Sequence, residues 1–186
     1  MPSRRLHPLR SAIAALRLLA LGRLRQPRRR VGTRLTSENG QRFVVYRETT
    51  VTPLADGATD PGAVLIFEFH LRFMPEPVAP YAVRAFEPLS VLTTPFFVGL
   101  PGFRTKLWCF DHDTGDYAGG YEWASAADAE RYARALTRLM RALSVPGSVS
   151  AVIHSDTDLD EYVAERTVIE SGSADAPAAT DATGSA

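Results

Sequence analysis

The clearest pattern in the chain is an alternation of apolar and polar side chains over residues 63–73. Every odd position from 65 to 73 is Leu or Phe, whereas the even positions begin apolar and become polar at Glu68, His70 and Arg72. Successive side chains of a strand point to opposite faces, so this period predicts a β-strand with one wholly apolar face. The second face becomes polar along its length, which indicates that it borders a cavity or an interface.

Strand and helix patterns alternate on both sides of this segment. Further strands are predicted at residues 43–51, 103–110, 117–123 and 148–154, and helices at residues 81–92 and 125–143. Ser125 with Asp128 three residues later is typical of a helix N-cap. Counted from residue 63, the order is β-α-β-β-α-β. This ferredoxin-like order predicts an α+β fold with an antiparallel sheet and helices on one face.

Two strands of this unit form a predicted hairpin whose turn covers residues 111–116. A symmetric turn places Trp108 opposite Gly119, and the same register places Lys106 opposite Tyr121. A shift of one residue would change both pairs. A glycine opposite a tryptophan leaves room either for the indole ring or for a ligand.

The N-terminal region is strongly basic, because residues 1–37 contain ten arginines and no acidic residue. Apolar residues within 6–25 follow a helical period with arginines between them, which predicts a basic amphipathic helix. Such a helix can lie on an anionic membrane, pack on the domain or form a flexible arm. We expect peripheral contact with anionic membrane by residues 1–31. No specific nucleic-acid recognition is expected, because aromatic residues are not interleaved with the arginines.

The patterns divide the chain into a basic helix or arm at 1–36, an α+β domain at 37–165 and a tail at 166–186. The tail is expected to be disordered, since residues 171–186 are only Ala, Ser, Thr, Gly, Asp and Pro. An acidic stretch before it, after residue 155, can hold a short helix. Arginine interrupts the apolar run near the N-terminus, so neither a membrane span nor a signal peptide is predicted. The expected location is the cytoplasm, including the inner face of the membrane.

Residues 63–162 resemble the YdhR-like monooxygenases, a branch of the dimeric α+β barrel superfamily. The motifs that carry the resemblance are Phe96-Phe97, Leu100-Pro101-Gly102-Phe103, Lys106-Leu107-Trp108, Tyr117 with Gly119-Gly120-Tyr121-Glu122-Trp123, Ser125 with Ala129 and Tyr132-Ala133, and Pro146-Gly147-Ser148-Val149. The resemblance implies a homodimer whose two sheets face each other in a barrel, with a pocket in each subunit between its sheet and its helices. Relatives in this superfamily include cofactor-free oxygenases of polyketide-like aromatics, haem-degrading enzymes and chlorite dismutase-like proteins.

One residue is a candidate catalytic group and six are candidate substrate-binding groups. His70 is the candidate acid or base, because an imidazole exchanges protons near neutral pH and a nearby carboxylate can orient it. The candidate substrate-binding residues are Trp108, Tyr121, Trp123, Lys106, Arg72 and Glu68. The rings can hold a flat substrate away from water, and the cations can stabilise its anion. The alternative is structural: an interface histidine, cross-strand aromatic packing and solvated charges.

Several kinds of site are excluded or unsupported by the sequence. It contains no P-loop, no dinucleotide fingerprint and no Gly-x-Ser-x-Gly elbow. The single Cys109 excludes a disulfide framework within the chain, and the histidines lack the spacing of a metal site. We therefore expect no metal and no other cofactor.

Three functions are compatible with these patterns. The leading hypothesis is a homodimeric, cofactor-independent monooxygenase of a small aromatic or quinol-like substrate. The alternative is a non-catalytic protein of the same fold that binds an apolar ligand or a lipid and is held at anionic membrane by its arm. The third is a scaffold whose acidic tail contacts a partner.

Overall fold

The computed structural model describes residues 8–52, 62–73 and 93–168. Its elements in chain order are α1 (Pro8–Ala20), β1 (Leu24–Arg25), β2 (Arg34–Thr36), β3 (Arg42–Val51), β4 (Ala63–Phe69), α2 (Pro95–Val98), β5 (Phe103–Phe110), β6 (Tyr117–Trp123), α3 (Ala126–Leu143), β7 (Ser150–Ser155) and α4 (Leu159–Arg166). None of the helices in these ranges is long and apolar enough to span a membrane.

The described strands form one antiparallel sheet in the order β1-β3-β5-β6-β4-β7, and β2 also pairs with β3. The four strands of the predicted ferredoxin-like unit are therefore neighbours in the order β7-β4-β6-β5. This confirms the prediction of an α+β fold with an antiparallel sheet. The predicted helix at 81–92 lies outside the described residues, and the dimeric barrel stays a prediction.

The central hairpin has the register that a symmetric turn predicts. Trp108 lies opposite Gly119, and Lys106 lies opposite Tyr121. On the other side of β6, Gly119 pairs with Phe67 of β4. Because residues paired across a sheet share a face, Trp108 lies on the same face as Phe67, which belongs to the wholly apolar side of β4.

The two faces of the sheet carry two separate cores. Face A is covered by α1, α2 and α3, and its core includes Leu65, Phe67, Phe97, Phe103, Trp108, Tyr121, Trp123 and Tyr132. Face B is covered by β2 and α4, and its core includes Leu35, Phe43, Val45, Val64, Leu107, Cys109, Ala118, Leu159 and Tyr162. The described helix of the predicted unit, α3, lies on face A, whereas α4, which follows the unit in sequence, packs its apolar side chains on face B.

Both C-terminal helices begin at side-chain caps. The hydroxyl of Ser125 accepts a hydrogen bond from the backbone amide of Asp128 at 3.2 Å, as the sequence predicts for α3. The carboxylate of Asp158 accepts from the amide of Glu161 at 2.8 Å and starts α4. These caps satisfy amides that have no partner within the helix, and they fix where each helix begins.

The N-terminal region differs from its prediction in two places. The helix ends at Ala20 and not near residue 25, because Gly22 adopts a left-handed conformation with φ of +65° and turns the chain into β1. The segment at 32–42, interpreted as a linker, contains the three-residue strand β2, which pairs with the start of β3. A strand this short has too little alternation to be recognised in the sequence.

The strand β4 is shorter than its apolar pattern, which continues to residue 73. Beyond Phe69 the backbone partners change from neighbouring strands to the end of α3. The amide of Val145 donates to the carbonyl of His70 at 2.9 Å, and the amide of Arg72 donates to the carbonyl of Leu143 at 3.0 Å. As a result Phe73, predicted to continue the apolar face, is 80% exposed.

Candidate functional site

The most unusual polar group on face A is the amine of Lys106. This residue is the only lysine in a chain with 21 basic residues, yet it is only 5% exposed. Its Nζ lies 3.0 Å from the ring centroid of Trp108, 4.6 Å from that of Phe97 and 4.7 Å from that of Tyr121. No carboxylate in the described part of the chain forms an ion pair with it. The amine is therefore enclosed by aromatic rings.

This environment changes the acid–base behaviour of Lys106. Burial, and after it the nearby guanidinium of Arg47, hold the pKa of the amine well below its usual value of 10.5. Arg47 is itself buried, and its guanidinium carbon lies 5.2 Å from the ring centroid of Trp108. A desolvated amine beside another cation favours its neutral form, which can accept a proton. An arginine at this position could not do so, because its guanidinium stays charged.

The rings around the amine are held by their own contacts. The indole N–H of Trp108 donates a hydrogen bond to the hydroxyl of Thr49 at 3.2 Å. The ring of Tyr121 lies 5.1 Å from that of Tyr132, and the two phenols are hydrogen-bonded. Burial, followed by the effect of Tyr132, raises the pKa of Tyr121 well above 10, so this phenol stays protonated.

Trp123, the third predicted aromatic residue, lies on the same face but packs one step further along the sheet. Its ring is 5.6 Å from Phe103 in an edge-on arrangement and 5.0 Å from Tyr132. Its buried indole N–H has no hydrogen-bond partner among the described residues. Trp123 therefore packs against Tyr132, which in turn packs against Tyr121, and its own ring does not contact Lys106.

Glu68 and His70 lie on face B, where each has polar partners. The carboxylate of Glu68 accepts hydrogen bonds from the amide of Asn39 and the hydroxyl of Ser150, both at 3.4 Å. Burial raises the pKa of Glu68 above 4.5. The Nδ1 of His70 lies 2.7 Å from the carboxylate of Asp116, so the carboxylate that orients the imidazole is Asp116 and not Glu68.

Asp116 is not among the candidate site residues predicted from the sequence, although the sequence contains a signal for it. Glu68 pairs with Ala118 and Phe69 with Tyr117, so continuing this antiparallel register by one residue brings His70 opposite Asp116. Finding it required the pairing between β4 and β6. Alternation within each strand does not give this pairing.

Face B contains two cavities that share Glu68. A cleft of about 250 Å³ is lined mostly by polar residues: Asn39, Gln41, Glu68, Phe69, Asp116, Gly147, Ser148 and Ser150. The other cavity lies between the sheet and α4, has a volume of about 30 Å³ and has a mainly apolar lining. That volume is enough for a water molecule and too small for an aromatic ring.

The sheet divides the candidate site residues between its two faces. Lys106, Trp108 and Tyr121 lie on face A, whereas Glu68 and His70 lie on face B. These candidates therefore do not form one surface within a single chain. The reason is the pairing of Phe67 with Gly119, which brings the aromatic residues to the apolar side of β4.

Arg72 lies apart from both groups. Its guanidinium donates a hydrogen bond to the backbone carbonyl of Ser144 at 3.1 Å, just beyond the end of α3. A cation at this end of a helix interacts favourably with the helix dipole. The contact gives Arg72 a role in holding the segment after β4 to the end of α3.

No group of three or more His, Cys, Asp or Glu side chains is arranged to hold a metal ion in the part of the chain that the structure describes. The ring of His112 packs edge-on against Phe110, and the Nε2 of His154 lies 3.3 Å from the carboxylate of Glu38. These two histidines thus contact different residues and are not brought together in one site.

No protein-family model and no curated protein matches the chain. Among solved structures, a haem-degrading enzyme from Listeria monocytogenes is 15% identical, covers 66% of this chain and 82% of its own, and has a TM-score of 0.43. A monooxygenase-like protein from Listeria innocua is 13% identical, with coverage of 65% and 67% and a TM-score of 0.43.

An uncharacterized ferredoxin-fold protein from Listeria monocytogenes, described as related to antibiotic biosynthesis monooxygenases, is 14% identical. The match covers 64% of this chain and 66% of that protein, with a TM-score of 0.41. Similarity at this level is distant, and it assigns neither a family nor an activity to the chain. Membership of the YdhR-like family stays a prediction.

Proposed function

We propose that the protein is a cofactor-independent monooxygenase that binds a small aromatic or quinol-like substrate on face A. The observation that supports this most strongly is the environment of Lys106. The only lysine of the chain is buried among three rings beside Arg47, and it has no acidic partner in the described residues. A neutral amine with a lowered pKa is suited to take a proton from an acidic substrate.

In the proposed reaction, Lys106 accepts the proton of an acidic hydroxyl group or of a carbon next to a carbonyl. The resulting ammonium and the guanidinium of Arg47 then stabilise the aryl oxide or enolate, because this site excludes water. Because Trp108 and Tyr121 enclose the amine in the free protein, the proposal requires these rings to move apart before the flat ring of the substrate can bind between them. The electron-rich anion is oxidised by molecular oxygen. For an anthrone, oxygen adds to the CH₂ carbon conjugated with the carbonyl, and the resulting hydroperoxide loses water. One oxygen atom stays as a new carbonyl on that carbon, and the other leaves as water with the two hydrogens of the CH₂ group, so no external reductant is needed. A hydroquinone has no such carbon and would give a quinone and hydrogen peroxide.

This proposal moves the base from His70 to Lys106. His70 and its partner Asp116 lie on face B, on the other side of the sheet from Trp108 and Tyr121. A base on that face cannot reach a substrate held on face A of the same subunit. Glu68 and Arg72 likewise take no part in the proposed step.

Binding and oxygen uptake test the proposal together. Both tryptophans of the chain, Trp108 and Trp123, lie on face A, so a flat phenol bound there should quench the intrinsic fluorescence. With a hydroxylated anthrone as substrate, we expect uptake of one oxygen molecule per substrate, unchanged by a metal chelator. Saturable quenching without oxygen uptake would support the non-catalytic ligand-binding alternative. Neither quenching nor uptake across a panel of anthrones and hydroquinones would contradict the proposal.

A further inference from the structure

The helix α1 is fixed on the domain by only one of its sides. Ala15 is buried in the core of face A, and Leu18 packs partly buried against the same core. After the helix, the amide of Arg23 donates to the carbonyl of Leu18 at 2.9 Å, and the chain continues into β1, which pairs with β3. The helix is thus held in a defined orientation.

The other side of α1 exposes large apolar side chains. Ile13, Leu16 and Leu19 follow one another at intervals of three residues, and Leu21 comes directly after the helix. These four side chains are between 59% and 65% exposed. Residues three apart are neighbours on a helix surface, so the first three form a continuous apolar row. Nothing in the described part of the chain covers this row.

Exposed positive charge lies on α1 and in the segment that follows it. Arg17 on α1 and Arg25 and Arg28 after it are exposed, and no acidic residue precedes Glu38 in the sequence. The next two arginines, Arg29 and Arg30, instead form ion pairs with Asp160 of α4. The exposed arginines at 17, 25 and 28 are therefore distinct from those that attach this segment to the domain.

We propose that the exposed row Ile13, Leu16 and Leu19, with its flanking arginines, docks the protein on an anionic lipid bilayer. An apolar helix face with arginines at its border matches the chemistry of a bilayer surface, where acyl chains lie beneath negative head groups. A second copy of the chain fits less well. A symmetric contact along this helix would bring two strongly basic segments together, without acidic residues from this region to neutralise them.

Vesicle co-sedimentation of the full chain tests this surface. At low salt we expect about tenfold more protein to sediment with vesicles containing phosphatidylglycerol than with phosphatidylcholine alone, because basic residues add attraction to anionic lipid. The double variant Leu16→Asp/Leu19→Asp should lose most of this binding. Its control is Leu139→Asp/Leu143→Asp, which changes exposed leucines on α3 and should sediment like the wild type. Circular dichroism should be the same for all three proteins.

Three results would overturn the proposal. The first is a wild type that does not sediment with anionic vesicles at low salt. The second is a Leu16→Asp/Leu19→Asp variant that sediments as well as the wild type. The third is a wild-type dimer in size-exclusion chromatography that the same variant converts to monomer while vesicle binding is unchanged, because a second copy would then be the occupant.

Discussion

The two faces of one sheet differ in how they accommodate ionisable groups that are buried or half-buried. On face B, Glu68 accepts hydrogen bonds from two side chains, and His70 is paired with Asp116. On face A, Lys106 lies among aromatic rings beside the cation Arg47. Buried polar groups are normally satisfied, so a group like Lys106 needs a further explanation, whereas the groups on face B are explained by the structure itself. This difference is the reason for placing the proposed function on face A.

The largest expected effect is that of Lys106→Met. Methionine keeps the length of the side chain and removes the amine. We expect at least about a hundredfold loss of substrate-dependent oxygen uptake, the usual range for loss of a general base. The free energy of unfolding should rise by about 1 kcal/mol or more, because folding desolvates the amine and lowers its pKa, and each pKa unit corresponds to about 1.4 kcal/mol. Oxygen electrode rates and urea denaturation at pH 7 measure the two quantities.

The stability difference between wild type and Lys106→Met should also depend on pH. The pKa of Lys106 is lowered in the folded state, so between that lowered pKa and 10.5 the unfolded chain binds more protons at this position. The wild type should therefore gain stability relative to the variant as the pH rises toward 10.5. The matched variant on face B, His70→Asn, should keep oxygen uptake within about twofold of the wild type. Loss of activity in His70→Asn with full activity in Lys106→Met would reverse the assignment of the two faces.

A smaller contrast is expected between two adjacent glycines that point to opposite faces. A Cβ atom at Gly119 would lie 2.6 Å from the ring of Tyr121, whereas one at Gly120 would meet Ile66 and Leu159 at 3.6 Å. Gly119→Ala should displace the Tyr121 ring, with a cost of about 1–3 kcal/mol in unfolding free energy and a loss of turnover of about tenfold. Gly120→Ala should change stability by only about 0.5 kcal/mol. Equal effects of the two substitutions would contradict the difference between the faces.

The smallest effect concerns Glu68 on face B. Burial raises its pKa above 4.5, so the folded state retains this proton at pH values where the unfolded chain has released it. The wild type should therefore lose stability relative to Glu68→Gln as the pH rises above 4.5, by about 1 kcal/mol or less. Thermal unfolding of both proteins at pH 4 and pH 7 measures this. A wild type that gains relative stability over the same interval would show that Glu68 is held as a stabilised carboxylate.

Much of the fold could be predicted from local patterns. The antiparallel sheet, the Ser125 cap of α3 and the pairs Trp108–Gly119 and Lys106–Tyr121 depend on alternation, capping chemistry and turn length. These are signals between residues close in sequence. The short strand β2 was missed because three residues carry little periodicity. The early end of α1 was missed because the sequence pattern does not show that Gly22 adopts a left-handed conformation.

The arrangement of the candidate site could be predicted only in part. The sequence identified Lys106, Trp108 and Tyr121 as neighbours, and they are. It could not tell which face of β4 they join, because that depends on the pairing of strands more than forty residues apart. For the same reason it joined His70 and Glu68 to the wrong group of residues and did not include Arg47, which comes from β3.

The most direct test of the account is an NMR titration of the protein labelled with lysine carrying ¹³C at Cε. The chain contains one lysine, so the spectrum has one signal, and it reports the protonation of Lys106. We predict a midpoint well below 10.5 that moves upward when an acidic aromatic ligand binds, because the bound anion stabilises the ammonium. A midpoint at or above 10.5 in the free protein would show an ordinary charged lysine and contradict the proposed role of Lys106.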